Sequence, residues 1–313
     1  EKAANFISDF YYDNHPVELT CDHTTPGVHS TDLFTDATLV FLDNYSSDSP
    51  WFAYVSYMAP HDPRSMPKEF LDLYSPSDIE LPPNFSPEHA FEFGIRSLRD
   101  EVLEEYPRTM EKIKTHIAEY YAMISHLDSG IGKIINKLKE NGNYENTIII
   151  FAGDNGLSIG QHGLMGKQNN YEHSVRVPLI FSGPGIPKNS QSDEYVFLMD
   201  IFPTILDLVG CETPASSEAI SLEPIIRGEG TGRDNLYLAF RELTRAVKTK
   251  QYKLIEYNTS EGVRTQLFDL INDPWETNDL SISVDYYDVM TETRQTLYKE
   301  RDQNGDLNHP AGR

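Results

Sequence analysis

Six side chains stand out for the chemistry they could share. Asp154 and Asn155 offer a carboxylate and an amide oxygen side by side in "FAGDNGLSIGQHGLMGK", directly after an apolar run. Oxygen donors of this kind suit a hard cation such as Ca²⁺, which tolerates a mixed shell; Mg²⁺ would keep more of its water. The same stretch carries His162 and Lys167. An imidazole can protonate a leaving group or donate to an ester oxygen, and an ammonium can hold the oxygens of a tetrahedral oxyanion. A second imidazole, His61, ends another apolar run in "WFAYVSYMAPHDPR", with Arg64 three residues on. Each has an ordinary reading by itself: Asp-Asn-Gly is a common turn, "PHDP" a rigid one, and Lys167 a solvated lysine. In combination they describe a loop with a metal at one end and an anion clamp at the other.

Those loops need elements to carry them. Residues 30–58 read as a helix, broken at "SSDSP", followed by a strand over Trp51–Met58, rich in aromatic and β-branched residues. Residues 62–114 are rich in proline and charge and predict a long surface excursion with little regular structure. Three- and four-residue steps from Ile117 to Leu138 predict a helix over 115–141, with Gly142 past its end and Asp128 as a buried, hydrogen-bonded carboxylate on its apolar face. "NTIIIFAG" and "VPLIFSG" are continuous apolar runs, the pattern of strands covered on both faces, and Glu194–Gly210 contains a further helix. This alternation predicts an α/β fold: a doubly wound, mostly parallel sheet flanked by helices. Ligands in such sheets bind outside the carboxyl ends of the strands, where His61 and Asp154 fall. From about residue 235 the texture changes to short strand-like runs, "NLYLAF", "TRAVKTK", "YKLIEYN" and "TQLFDLI", with a closing helix over Tyr287–Arg301. The expected division is 1–234 for the α/β part and 235–313 for a small antiparallel sheet plus helix.

Composition narrows the function classes. The 313 residues are 39% hydrophobic and 11% aromatic, enough for a sizeable core. A net charge of −23 repels phosphate backbones, which argues against nucleic acid and requires local positive groups for any anionic substrate. Two cysteines, Cys21 and Cys211, make no zinc motif, and their spacing does not decide whether they pair. No apolar run approaches the length of a membrane span, and the N-terminal residues lack the pattern of a signal peptide. Asn44, Asn84 and Asn258 head N-x-Ser/Thr sequons. "DQNGDLN" echoes a calcium loop but has Leu307 where a glycine is wanted, and reads as a solvated tail.

The chain resembles the sulfatase family, the formylglycine-dependent branch of the alkaline phosphatase-like superfamily. The residues that carry the resemblance are "APHDP", "DNG" followed by "GQHGLMGKQNNYEHSVRVPLI", "YYAMISHLDSGIGKIINKL", "LMDIFPTILDLVG", "RAVKTKQYKLI" and "QLFDLINDPWETNDL". It implies that Asp154 and Asn155 are the second pair of calcium ligands, that Lys167 and His61 contact the sulfate, and that His162 is a substrate-side or leaving-group contact. Arg64, Arg99 and His173 could shape substrate selection. It also implies Ca²⁺, a sulfated carbohydrate or small sulfate ester as substrate, and export to the periplasm or beyond. The family's Cys- or Ser-x-Pro-x-Arg motif, whose first residue becomes formylglycine, is not matched at Cys21 or Cys211, nor is the earlier Asp-Asp pair present. The resemblance would place both before residue 1, so the 313-residue polypeptide by itself is expected to hydrolyse sulfate esters negligibly. A phosphodiesterase or phosphonate hydrolase of the same superfamily would use the same groups. A non-catalytic module could use His61 and Lys167 to hold sulfated glycans.

Overall fold

The computed structural model describes residues 28–306, together with the backbone of two short paired segments, Tyr11–Tyr12 and His15–Pro16. Cys21 and the tail beyond Asp306 lie outside the described residues. The chain divides into two compact units: residues 1–80 with 114–147, and residues 81–113 with 148–313.

In the first unit, helix α1 (Ser30–Asn44) begins at His29, whose Nδ1 accepts from the Thr31 amide at 3.1 Å, and carries Asp32 in its first turn. Asp32 suits the positive end of the helix dipole. Helix α2 (Met110–Glu140) contributes its length from Lys114 onward. The two helices meet at Gly130: a Cβ there would lie 2.5 Å from Thr35 Oγ1, so a larger residue would have to displace that hydroxyl. The contact is closed by polar bonds, His126 Nε2 with Asp32 Oδ1 at 3.1 Å and Asn141 Nδ2 donating to Leu42 O at 3.0 Å. Asp128 is exposed, not buried as its place in the apolar pattern predicts. The buried track of α2 runs through Ile117, Met123, Leu127 and His126, and leaves Tyr121 and Ile124 out. Trp51–Met58 is not a strand: it has no pairing partner among the described residues. Composition reports only that a segment tolerates the pleat; a ladder also needs a neighbour. Tyr57 packs edge-on against Phe34 and bonds Thr35 Oγ1 at 3.0 Å, while Phe52 and Tyr54 are 71% and 80% exposed.

In the second unit, strands β1 (Ile149–Ala152) and β2 (Leu179–Ser182) pair antiparallel, with Phe151 opposite Ile180. Both of these residues are exposed, so the expected cover on two faces is lacking here. Mixed sheets commonly carry such an antiparallel pair. Helix α3 (Ile201–Leu208) follows, with Gly210 just past its end at φ +73°.

The four C-terminal strands form as the sequence predicts. Strands β3 (Leu236–Phe240), β4 (Thr244–Lys248), β5 (Tyr252–Thr259) and β6 (Gly262–Asp269) make an antiparallel meander in that order. Side chains alternate across a pleat, and each face builds a core. Ala246, Ile255 and Phe268 turn to one side, against Phe93, Ile95, Leu164 and Tyr171. Val247, Leu254 and Leu267 turn to the other, against Leu280 and Leu297, the latter on helix α4 (Tyr287–Gln303). The first of these cores overturns one expectation. Residues 81–113 have little regular structure, as predicted, but they are not a surface excursion: Phe93, Ile95, Asp100, Glu101 and Arg108 are all buried.

Candidate functional site

In the second unit the chain leaves β1 at Ala152 and exposes Asp154 and Asn155 at once. Asp154 Oδ1 accepts from the Asn155 amide at 2.7 Å, and Asn155 Nδ2 donates to Gly156 O at 2.9 Å. The second Asp154 oxygen and the Asn155 side-chain oxygen take no hydrogen bond among the described residues, and both residues are exposed. The chain tucks in immediately afterwards. A Cβ on Gly156 would fall 2.0 Å from His173 O, so the residue that ends the Asp-Asn pair has to be glycine. Residues 158–166 form a tight, buried loop, with Ser158 N donating to Gly166 O at 3.0 Å and Gly160 N to Leu164 O at 2.8 Å.

That loop is locked from beneath by the supposed excursion. Glu101 accepts from Arg108 Nη2 at 2.8 Å, from the Tyr106 hydroxyl at 2.9 Å and from the Met165 amide at 3.1 Å. Arg108 also stacks 3.7 Å over the Tyr106 ring and donates to Gly163 O at 3.3 Å. Burial raises the Glu101 carboxyl against all of these partners, and raises the Tyr106 hydroxyl to about 12. Asp100 fixes the next step. It accepts from Gln168 Nε2 and Arg99 Nε, each at 2.7 Å, while Gln168 Oε1 takes the Lys167 amide at 3.1 Å. Burial would raise Asp100, yet Arg99, Gln168 and the Lys167 charge hold it below the usual carboxylate range. The Lys167 backbone is thus clamped while its ammonium makes no hydrogen bond or ion pair among the described residues.

His162 and His173 are set differently from what their sequence suggests. The His162 ring stacks on Tyr171 at 3.9 Å and 13°, and Asn84 Nδ2 reaches its Nε2 at 3.2 Å. An amide NH₂ only donates, so Nε2 holds a lone pair. Burial, with His89 and Lys253 nearby, pushes the ring down to about 3. A ring this hard to protonate is a poor leaving-group acid at neutral pH; the structure gives His162 the role of a packed, neutral shelf. His173 Nε2 pairs with Ser158 Oγ at 2.7 Å, and burial places it well below its ordinary value.

His162, His173 and Glu276 bring one ligand atom each within 4.8 Å of one another, a spacing that could hold a metal ion. Their surroundings oppose it. Glu276 already accepts from Lys253 Nζ at 2.7 Å and from the Glu172 amide at 2.8 Å. Lys253 Nζ also lies 2.6 Å from Glu172 Oε1. A fully buried ammonium therefore supplies the cation for this knot, and a divalent ion beside it would meet like charge. Burial raises Glu276; it would raise Glu172 too, but Lys253 and Lys248 bring that carboxyl down to about 2.

In the first unit His61 is exposed, its Nδ1 paired with Asp62 O at 2.8 Å. Arg64 reaches His116 Nδ1 through Nη1, and its Nη2 lies 3.5 Å from Asp62 Oδ1. Sequence reasoning missed Asp100, Glu101, Arg108, Gln168, His116 and the Lys253–Glu276 pair. For Lys253 a signal existed: it shares the period-two face of Ile255 and Tyr257, where a lysine needs a buried partner. "RDEVLEEYPR" carries no such signal and reads as a solvated charge run.

A family model described as sulfatase matches residues 3–211. The chain belongs to the sulfatase family. A second model, for the C-terminal region of N-sulphoglucosamine sulphohydrolase, matches residues 160–303. An arylsulfatase of Clostridium perfringens is 30% identical over 286 residues, 87% of this chain and 58% of that protein. A choline-sulfatase of Rhizobium meliloti is 32% identical over 243 residues, 75% of this chain and 47% of its own. The chain spans about half the length of the curated relatives it matches. Among solved structures, one described as BT4656 in complex with its substrate D-glucosamine-2-N,6-O-disulfate aligns with TM-score 0.76 at 23% identity, covering 91% of this chain and 72% of that one. The phosphonate monoester hydrolase of Agrobacterium radiobacter aligns with TM-score 0.74 at 25% identity, covering 87% and 60%. The fold is the alkaline phosphatase-like fold of sulfatases. No described helix is long and apolar enough to cross a membrane.

Proposed function

We propose that the protein hydrolyses sulfate esters of a sulfated carbohydrate, with Lys167 binding the sulfuryl oxygens. The observation that carries this reading is the state of Lys167: a main chain clamped by Gln168 and Asp100, bearing an ammonium with no partner among the described residues. A cation with a clamped main chain and no hydrogen-bonded partner for its ammonium among the described residues, in a chain of net charge −23, is suited to an anionic ligand. Family membership selects sulfate as that ligand, and the names of the relatives support a sulfated sugar or small ester.

Asp154 and Asn155 fit a Ca²⁺ site in part, since both expose an oxygen not engaged by a described donor. Two ligands are a fraction of the six to eight that calcium takes, so further oxygens must complete the shell. When bound, the ion would supply positive charge against the developing oxyanion. The residues present do not fit formylglycine. Cys211 is an exposed free thiol beyond α3, in "VGCETPAS", without the proline and arginine spacing that the modification needs. No step is assigned to it. Lys167 orients the sulfuryl group and draws charge from its oxygens; His162 and Tyr171 shape the wall behind the loop. Export and the 1–234 and 235–313 division belong to this proposal as well.

The test is sulfate release by the full-length protein from 4-nitrophenyl sulfate and from sulfated monosaccharides, with Ca²⁺ and after chelation. Calcium-dependent release, lost in Lys167→Ala, is expected. Turnover of a phosphonate monoester in place of every sulfate ester would transfer the assignment to the phosphonate hydrolases, whose fold aligns with TM-scores of 0.74 and 0.73.

A further inference from the structure

We infer that His29 is a proton-sensitive latch in the first unit: its neutral ring ties the first turn of α1 to the loop around Ser65, and protonation at Nδ1 opens the tie.

Both ring nitrogens are engaged, in opposite senses. The Thr31 amide can only donate, so Nδ1 accepts from it at 3.1 Å and must hold a lone pair. The proton of the neutral ring is then on Nε2, which donates to Ser65 O at 2.9 Å and lies 3.1 Å from Ser65 Oγ. One imidazole thus caps a helix and grips a loop 36 residues further along the chain. A second proton has only Nδ1 to go to, and there it faces the Thr31 N–H, donor against donor. The ring must then leave the cap, and the Ser65 segment is released from the helix. Serine, threonine, aspartate or asparagine would cap α1 without this dependence; an imidazole caps it only while neutral.

The surroundings keep the latch shut at neutral pH. The His126 ring, on α2, has its centroid 4.8 Å from that of His29, and its Nε2 donates to Asp32 Oδ1 at 3.1 Å. Burial and His126 hold His29 below its ordinary value of 6.5, against Ser65 O and the Asp32 carboxylate, which favour the charged form. The positive end of the α1 dipole acts in the same direction as burial. The loop's own charges, Asp62 and Arg64, are engaged with each other and, through Arg64, with His116. Because the folded value lies below the unfolded one, the tie is complete above pH 6.5 and is lost as pH falls through the lowered value. Ser65 leads into one helical turn, Lys68–Leu71, whose Phe70 ring stacks on His126 at 4.8 Å and 29°. That turn is the part of the loop with amides protected enough to report the release.

The experiment uses hydrogen–deuterium exchange of the full-length protein, read by mass spectrometry from about pH 8 to about pH 5. Exchange at histidine Cε1 gives the midpoint of His29. Amide exchange, corrected for its intrinsic pH dependence, is followed in residues 30–35 and 66–72. Both segments should lose protection with the His29 midpoint, by up to about tenfold for each pH unit between 6.5 and the lowered value. His29→Asn keeps an acceptor for the Thr31 amide without a group that titrates, so the pH step should vanish from both segments. A step absent from either segment of the wild type, one with a midpoint other than that of His29, or one that survives in His29→Asn would overturn the latch. The wild-type midpoints need no variant and decide the matter if His29→Asn fails to fold. Neither readout involves turnover, so a failure of the sulfatase reading leaves the latch untouched.

Discussion

Glu101 and Arg108 are joined at 2.8 Å with both side chains fully buried, and the carboxylate of that pair also receives the Met165 amide two residues before Lys167. A buried ion pair is a weak argument for stability, but losing one partner is severe because the other charge remains without compensation. Arg108→Met should cost about 3–5 kcal/mol in urea unfolding. The double variant Arg108→Met/Glu101→Leu should recover part of that loss. A single variant as stable as the wild type would remove this pair from the support of the loop.

Gly163 tests the same support by shape. Its φ is +73°, and a Cβ would lie 2.2 Å from the Glu88 carbonyl carbon, which is main chain and cannot swing aside. Gly163→Ala should destabilise by more than the ~1 kcal/mol usual for a left-handed position, and should lower the rate of sulfate release through displacement of Lys167. A thermal midpoint within a degree of wild type would contradict the close approach.

Acid should loosen the second unit through its histidines. His162 sits near 3 in the folded chain and near 6.5 unfolded, so between those values the unfolded chain binds the extra proton. Stability contributed by the neutral ring is therefore full above pH 6.5 and lost as pH falls toward 3, on the order of 1.4 kcal/mol for each unit separating the two values. His162→Asn, which tolerates the positive φ of 50° at that position, should flatten the fall in urea midpoint between pH 7 and pH 4. An equally steep fall in the variant would place the acid sensitivity elsewhere.

Lys167→Ala removes an ammonium with no partner among the described residues, so unfolding free energy should change by less than about 0.5 kcal/mol. Activity should respond in the opposite way. Loss of one aimed charge from a transition-state contact lowers kcat/KM by about 100-fold or more. A large stability loss with unchanged turnover would show that the lysine is structural.

Asp154→Asn and Asn155→Ala should each weaken Ca²⁺ binding, measured by equilibrium dialysis on the full-length protein, without altering the packed loop after Gly156. Carboxylate loss should have the larger effect because Ca²⁺ is a hard ion. Unchanged affinity in both variants would remove the pair from the metal site.

Much of the fold was legible where a pattern repeats. The meander from Leu236 to Asp269 and helix α2 follow the period of their apolar residues, and Gly142 and Gly210 mark helix ends as expected. Asp154, Asn155 and Lys167 drew notice because glycine-rich polar loops after apolar strands are rare; their roles rest on the proposal above. What failed was burial without a period. Residues 93–108 contribute both core and lock through single contacts spaced along an irregular chain, and a run of charges looks the same to a sequence reader whether water or Arg108 neutralises it. Asp128 failed for the reverse reason: the apolar pattern of α2 is broad enough to include it, and the helix is rotated so that His126 takes the buried place. Trp51–Met58 has the residues of a strand, but nothing in its own sequence could supply a neighbour.

The Asn84 sequon has a practical bearing on how the protein is made. Asn84 is 7% exposed, and its amide donates to Trp275 O and toward His162 Nε2, so the folded chain offers no room for a sugar there. Oligosaccharide attached to a nascent chain in yeast or insect cells would reach this nitrogen before the fold could shield it, and would wedge the Trp275 segment away from the histidine shelf. Bacterial expression, or Asn84→Gln checked by mass spectrometry, avoids that trap.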